Sequence, residues 1–269
     1  MSHIRLIISD IDGTILNDHH QIDPELAALI PDLKREEIPF VLASARSPKG
    51  MAPIAKELGI EDCPMACYNG ALIQKGEQVL LEHPLDKTEA RQFINWAKEH
   101  FPQVSINLYS GKDWMTDRLD QWSQEEARIT GEKPLILPLS DPLLDTTKPL
   151  HKLLLIGEPE EIQALYHAIS ADDFPSTAFY LSKANYLEVT AKQVSKENAL
   201  VELANHYHLT LEEVLTMGDN FNDLPMLKKA GIGVAMGNSP QEVKDGATVV
   251  TKSNNENGAG QAVETYVLI

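Results

Sequence analysis

Long apolar runs are absent from this chain: nothing in its 269 residues approaches the roughly 18 consecutive apolar positions that a membrane-spanning helix needs. The amino terminus has no basic stretch followed by an apolar one and a small-residue cleavage site, so no signal peptide is expected and the cytoplasm is the expected location. Cysteine is scarce. Cys63 and Cys67, the two in the chain, are spaced neither as a redox C-x-x-C nor as half of a zinc site, and they read as reduced structural thiols. Positive charge is short as well, with 23 Lys and Arg against 40 Asp and Glu and a formal charge of -17. Phosphate backbones and anionic lipids repel such a surface, so neither nucleic acid nor membrane is an expected partner. A local basic pocket for one small phosphate stays compatible with it.

What the chain does have is an ordinary globular balance, 43% hydrophobic and 23% charged, and enough length for two modest domains at about 100–200 residues each. The first stretch alternates strands and helices. Residues 4–8 read as a buried strand, 24–37 as an amphipathic helix opened by Pro24, 40–43 as a second strand, 49–58 as a helix closed by Gly59, and 65–68 as a third strand before Asn69-Gly70. Residues 71–73 and 78–81 suggest a hairpin. The character then changes. A helix at 86–100, strand-like runs at 104–108 and 114–116, a proline-rich and irregular 131–145, and a strand, helix and strand at 153–156, 160–169 and 178–181 suggest a separate α+β unit. From residue 186 the βα alternation returns and runs to a closing helix at 258–267. The expected architecture is a Rossmann-like α/β core with a parallel sheet, made from residues 1–83 and 187–269, with 84–186 inserted as an α+β domain.

Two acidic clusters sit at matching places in this pattern. Asp10-Ile11-Asp12-Gly13-Thr14 follows the first strand, and Gly218-Asp219-Asn220-Phe221-Asn222-Asp223 follows a strand-like run at 214–217 and precedes a helix. Carboxyl ends of parallel strands share one edge, so the clusters can meet although about 200 residues separate them. Paired carboxylates beside glycine and free backbone N–H groups suit a divalent metal and a phosphate. Each cluster alone also suits a turn or a helix cap. Ser44, just after the second strand, and Lys196, at a helix start, add a hydroxyl and an ammonium suited to phosphate.

These elements, in this order, resemble the haloacid dehalogenase-like hydrolases, and specifically the Cof-type phosphatases (cap type IIB), to which bacterial sugar phosphatases are similar. The resemblance covers nearly the whole chain: D-I-D-G-T at 10–14, S-A-R at 44–46, Y-N-G-A at 68–71, L-E-V at 187–189, V-S-K at 194–196, G-D-N-F-N-D at 218–223, A-M-G-N at 235–238 and T-K-S-N at 251–254. It implies Asp10 as a nucleophile forming an aspartyl-phosphate and Asp12 as general acid and then base. It further implies Mg²⁺ held by the Asp10 carboxylate, the Asp12 carbonyl and Asp219, supported by Asp223. Phosphate would be held by amides near Ile11 and Ala45 with Ser44, Lys196 and Asn222. Arg46 and Asn69 are candidate substrate contacts, and the inserted domain would be a cap of the αββ(αβαβ)αββ kind. Within that domain Tyr109, Lys112, Trp114, Arg118, Lys183 and Asn185 are further candidates for reading a small phosphorylated metabolite, sugar phosphates favoured.

The chain departs from the family pattern in having Ser44-Ala45-Arg46 where Thr-Gly-Arg is usual and Lys196-Glu197 where Lys-Gly is usual. An alanine forced to φ > 0 at position 45 would cost about 1 kcal/mol. A phosphomutase of the same superfamily and a non-catalytic sensor of a phosphorylated metabolite remain as rival readings. The large insertion disfavours the first and the intact pair Asp10 and Asp12 the second.

Overall fold

The computed structural model describes residues 4–268. Two compact units divide the chain: one from the residues through Arg46, Met51–Leu81 and Ser195 onward, the other from Ser47–Gly50 with Glu82–Val194.

The first unit opens with β1 (Leu6–Ser9), α1 (Pro24–Arg35), β2 (Phe40–Ala43), α2 (Pro48–Leu58), β3 (Met65–Cys67), β4 (Leu72–Lys75) and β5 (Gln78–Glu82). The second holds α3 (Lys87–His100), β6 (Ser105–Ser110), β7 (Asp113–Thr116), α4 (Gln121–Thr130), β8 (Leu135–Ile136), α5 (Ser140–Leu144), β9 (Lys152–Ile156), α6 (Pro159–Ala168), β10 (Thr177–Lys183) and β11 (Tyr186–Ala191). The chain then returns with α7 (Lys196–His206), β12 (Val214–Gly218), α8 (Leu224–Lys229), β13 (Ile232–Ala235), α9 (Gln241–Gly246), β14 (Val249–Val250) and α10 (Gly258–Tyr266).

In the first unit eight strands form one sheet in the order β14-β13-β12-β1-β2-β3-β4-β5, parallel from β14 to β3 and antiparallel from β3 to β4. Leu6, Ile7 and Ile8 of β1 are fully buried, as a parallel strand covered on both faces requires. β1 lies between β12 and β2, so consecutive connections leave it toward opposite sides and open a crevice at its carboxyl end. Ser9 is in register with Met217, and the Asp10 N–H donates to the Met217 carbonyl at 3.0 Å. The two acidic segments therefore leave the sheet side by side. Asp23 caps α1 by accepting from the Glu25 and Leu26 N–H groups through one oxygen, and its other oxygen accepts from Gly260 N–H at the start of α10. This one side chain fixes two helix ends.

The second unit has its own six-stranded sheet, order β10-β11-β9-β6-β7-β8, and its own core, in which Phe93 and Ile94 of α3 and Leu165 of α6 meet Leu108, Leu153, Leu155, Leu187 and Val189. The element order reads α-β-β-(α-β-α-β)-α-β-β. Three features differ from the sequence reading. The return expected at residue 187 falls inside β11, which pairs antiparallel with β9 and β10, and the compact unit continues to Val194. An alternating apolar run such as Leu187 and Val189 does not say which sheet it joins. The 131–145 segment, expected to be irregular, contains β8 and α5; Pro142 falls in the first turn of α5, where proline is tolerated. Helix α4 had no counterpart in the sequence reading because its polar sequence hides the apolar stripe. Its end signals are nevertheless there: Asp120 accepts from Trp122 and Ser123 N–H, Ser123 Oγ answers the Asp120 N–H, and Gly131 closes it at φ 71°.

Candidate active site

Asp10, the first residue beyond β1, is 6% exposed. Its Oδ1 accepts from Lys196 Nζ, and the Thr14 hydroxyl lies 3.4 Å from its Oδ2 and 3.2 Å from Asp219 Oδ1. Lys196 stands at the first position of α7, capped by Ser195, and its ammonium also reaches Asp223 Oδ1 at 2.6 Å. Asp223 is fully buried. Its Oδ2 accepts from the N–H groups of Asp219 and Asn220, each at 3.0 Å, which folds the 218–223 loop into a fixed cup. Glycines make this closeness possible. At Gly218 a Cβ would lie 2.4 Å from Asp223 Cβ, and at Gly13, φ 79°, one would lie 2.5 Å from Asp219 Oδ2.

The electrostatics follow from burial. Removal from water pushes Asp219 up to about 6, and the Asp223 charge adds to this while the Thr14 hydrogen bond opposes it. Burial raises Asp10 too, with Lys196 opposing and Asp223 and Asp219 assisting. Burial works against the Lys196 charge, but Asp10 and Asp223 outweigh it and hold the ammonium above its ordinary range.

Asp10, Asp219 and Asp223 each offer a carboxylate oxygen within 4.8 Å of the others. Hard oxygen donors crowded to this degree fit a divalent cation such as Mg²⁺; burial is the main cause of the upward shifts of Asp10 and Asp219, and the neighbouring carboxylates add to it. The Asp12 carboxylate points elsewhere. It is half exposed and is gripped by Arg46, Nε to Oδ2 at 2.8 Å and Nη2 to Oδ1 at 2.6 Å. Arg46, a candidate substrate contact, thus grips Asp12 with its planar fork.

Ser44 is buried at the end of β2; its N–H donates to Ala66 O, its hydroxyl accepts from Arg46 N–H at 3.3 Å, and its carbonyl accepts from Asn69 N–H at 2.8 Å. Ala45 is not among the described residues with positive φ, so alanine carries no backbone penalty there. The unusual dihedrals lie opposite, at Tyr68 (φ 53°) and Asn69 (φ 57°), where a buried aromatic in the left-handed region is a true outlier. Tyr68 N–H donates to Arg46 O at 3.0 Å, and Gly70 leaves no room for a Cβ against Ala199 of α7, 2.8 Å away. The 68–70 turn thereby wedges between the Ser44 loop and the helix that carries Lys196. Ile11 is buried and its carbonyl gathers the N–H groups of Thr14, Ile15 and Leu16, while Asn222 is exposed on its loop.

Sequence reasoning passed over Thr14, which joins Asp10 to Asp219, and Asn238, whose Nδ2 donates to Gly13 O at 2.9 Å. Asn238 Oδ1 accepts from Asn254 N–H, and Asn254 Nδ2 donates to Leu16 O. The quoted 235–238 and 251–254 motifs thus brace the loop after β1. In the second unit Trp114 is buried with its Nε1 on Asn107, and Arg118 donates to Asp120 and to the carbonyls of Pro102 and Val104, so both are engaged in local structure. Tyr109 is buried and stacks on Trp114, Lys183 lies 4.2 Å from the Tyr186 ring, the Asn185 carbonyl accepts from Gly157 N–H, and Lys112 is exposed. No helix among the described residues is long and apolar enough to cross a membrane.

Residues 7–263 match the family model described as haloacid dehalogenase-like hydrolase. The chain belongs to this family. As a haloacid dehalogenase-like hydrolase it is 34% identical over 261 residues to a Haemophilus influenzae protein with a provisional phosphatase name, covering 97% of each chain. It is 27% identical to the Bacillus subtilis 5-amino-6-(5-phospho-D-ribitylamino)uracil phosphatase, covering 98% of this chain and 96% of that one. The crystal structure of a haloacid dehalogenase-like hydrolase from Bacteroides thetaiotaomicron superposes with TM-score 0.88 at 30% identity, over 97% of this chain and 98% of that one. A subclass IIB sugar phosphatase of the superfamily shares the fold at TM-score 0.80 and 21% identity, over 98% and 100% of the two chains.

Proposed function

We propose that this hydrolase is a Mg²⁺-dependent phosphatase of small phosphomonoesters, sugar phosphates favoured, that works through an aspartyl-phosphate on Asp10. The observation that carries the reading is the division of labour between Asp10 and Asp12. Asp10 is buried, bound to a lysine and ringed by carboxylates; Asp12, two residues on, is exposed and held by an arginine. This contrast supports a reading in which Asp10 attacks and Asp12 exchanges protons.

In the first step an Asp10 carboxylate oxygen bonds to phosphorus while the ester bond breaks, and the leaving oxygen takes a proton from Asp12. In the second, Asp12 removes a proton from water as the water oxygen bonds to phosphorus, and the acyl-phosphate bond breaks to return the Asp10 carboxylate and inorganic phosphate. The cation, held by the carboxylates of Asp10 and Asp219 and the carbonyl of Asp12 with Asp223 behind them, would neutralise the repulsion between carboxylate and phosphate dianion, which is large at low dielectric. Lys196 and the Ser44 hydroxyl, with the amides near Ile11 and Ala45 and with Asn222, take the phosphate oxygens whose charge spreads in the transition state. Residues 84–186, as a cap, would select the leaving group.

The preference for sugar-like esters draws on two named proteins, the ribitylamino-uracil phosphatase at 27% identity and the sugar phosphatase of like fold. The test is phosphate release from p-nitrophenyl phosphate and a panel of sugar phosphates, with and without Mg²⁺, for the wild type and Asp10→Asn. Metal-dependent release that vanishes in the variant supports the reading. A folded, metal-binding protein that releases phosphate from none of these esters contradicts it and favours a mutase or a sensor.

A further inference from the structure

The first unit carries a second concavity, away from the carboxylates. A cleft of about 280 Å³ is walled by Ile30 and Leu33 of α1, by Ile38, Pro39 and Phe40, and by Ile60 beyond α2, with Lys34, Lys75, Cys63 and Tyr207 supplying its polar groups. Pro39 and Phe40 stand at the start of β2, and Ile60 and Cys63 precede β3. Asp10 and Ser44 follow the other ends of their strands. A four-residue strand spans about 13 Å, so this cleft and the acidic crevice occupy opposite edges of one sheet.

Its chemistry is donor-rich above an apolar floor. Lys34 is tied to Asp62 at 3.3 Å, which neutralises that pair at the rim. Lys75 is exposed and makes no ion pair among the described residues. Burial raises the Cys63 thiol and the Tyr207 hydroxyl above their ordinary values, so both are protonated donors at neutral pH, the nearby Asp62 charge helping in each case. Glu37, also exposed, is the remaining acid of the lining. An apolar floor, two neutral donors and one uncommitted ammonium are complementary to a molecule with an apolar body and a single anionic group.

We propose that this cleft is a second ligand site, taking a small apolar-bodied organic anion such as an aromatic or branched carboxylate, with Lys75 meeting the anionic group. A ligand there would touch Phe40 at the start of β2 and the Ile60–Cys63 segment that precedes β3.

The cleft contains its own reporter. Cys67 is fully buried, so alkylation of the full chain by iodoacetamide reads Cys63. With 8-anilinonaphthalene-1-sulfonate as probe, saturable binding should slow Cys63 alkylation several-fold, and Lys75→Glu should weaken binding by about tenfold, the scale of inverting one charge-assisted contact. Tyr207→Phe, which preserves the shape, should weaken it by a smaller factor. Lys75 is exposed, so its variant tests the site with the fold intact. The proposal is overturned by probe binding equal in wild type and Lys75→Glu, or by a saturating probe that leaves Cys63 alkylation unchanged. Neither readout depends on phosphatase turnover, so its failure is separable from failure of the catalytic reading.

Discussion

Arg46 holds Asp12 through two parallel hydrogen bonds, at 2.8 and 2.6 Å, although Asp12 is one of the more exposed groups of the site. A planar fork fixes the rotation of a carboxylate as well as its position, which a point charge does not. Arg46→Ala should therefore lower kcat by about 10–100-fold, part of the 10²–10⁴ that positioned acid–base groups contribute. Arg46→Lys should recover only a small fraction of this. Steady-state kinetics on one ester checks it, and KM should move much less than kcat.

The Gly13 position tests the proposed metal cup without replacing a carboxylate. A Cβ there meets the Asp219 carboxylate and must adopt φ 79°. Gly13→Ala should weaken Mg²⁺ binding by about tenfold or more, roughly 1.4 kcal/mol, as seen in a calorimetric titration. In the wild type, Asp219 is pushed up to about 6 and would be ionised to hold the cation, so Mg²⁺ affinity should fall as pH drops through about 6.

Lys196 pairs with two buried carboxylates, Asp10 and Asp223. Lys196→Met should destabilise the metal-free protein by about 3–5 kcal/mol, the cost of a buried pair left with one partner. The sign with pH is set by Asp10, whose carboxyl burial already raises. Without the ammonium its folded pKa rises further above the unfolded value, the folded state binds more protons, and stability falls as pH rises. Urea denaturation should show a larger deficit at pH 8 than at pH 5.

His151 supplies a pH term in the second unit. Its ring is 1% exposed; Nδ1 accepts from Gly111 N–H at 2.9 Å, and Nε2 faces Glu82 Oε2 at 3.3 Å. A backbone N–H only donates, so Nδ1 carries no proton in this arrangement and the ring is neutral. Burial lowers its pKa below the ordinary 6.5, with Glu82 opposing. The unfolded chain then binds the extra proton, so this contribution is fully present above 6.5 and is lost as pH falls through the folded value, at up to about 1.4 kcal/mol per pH unit. His151→Phe should flatten that part of the wild-type pH profile in denaturant melts between pH 5 and 7.5.

The sequence was most legible where local chemistry and topology agree. Buried β1, proline-started α1 and the acidic segments after β1 and β12 were readable because each carries its own signal, and the parallel sheet then brings the last two together. Helix α4 was not, since a polar helix announces itself only through Asp120 and Gly131. Arg46 was legible as a residue but its grip on Asp12 was not, because a contact across 34 positions depends on the loop geometry after β2. Thr14 and Asn238 lay inside quoted motifs, yet their function is to tie one loop to another, which spacing does not encode.

The most direct test of the account is to trap the intermediate on Asp10. The protein is mixed with a phosphomonoester that it turns over and Mg²⁺, quenched in acid, reduced with borohydride and mapped by mass spectrometry. Homoserine is expected at position 10, dependent on substrate and metal, with Asp12 unmodified. Sustained turnover with Asp10 unmodified, or the label on Asp12, would contradict it.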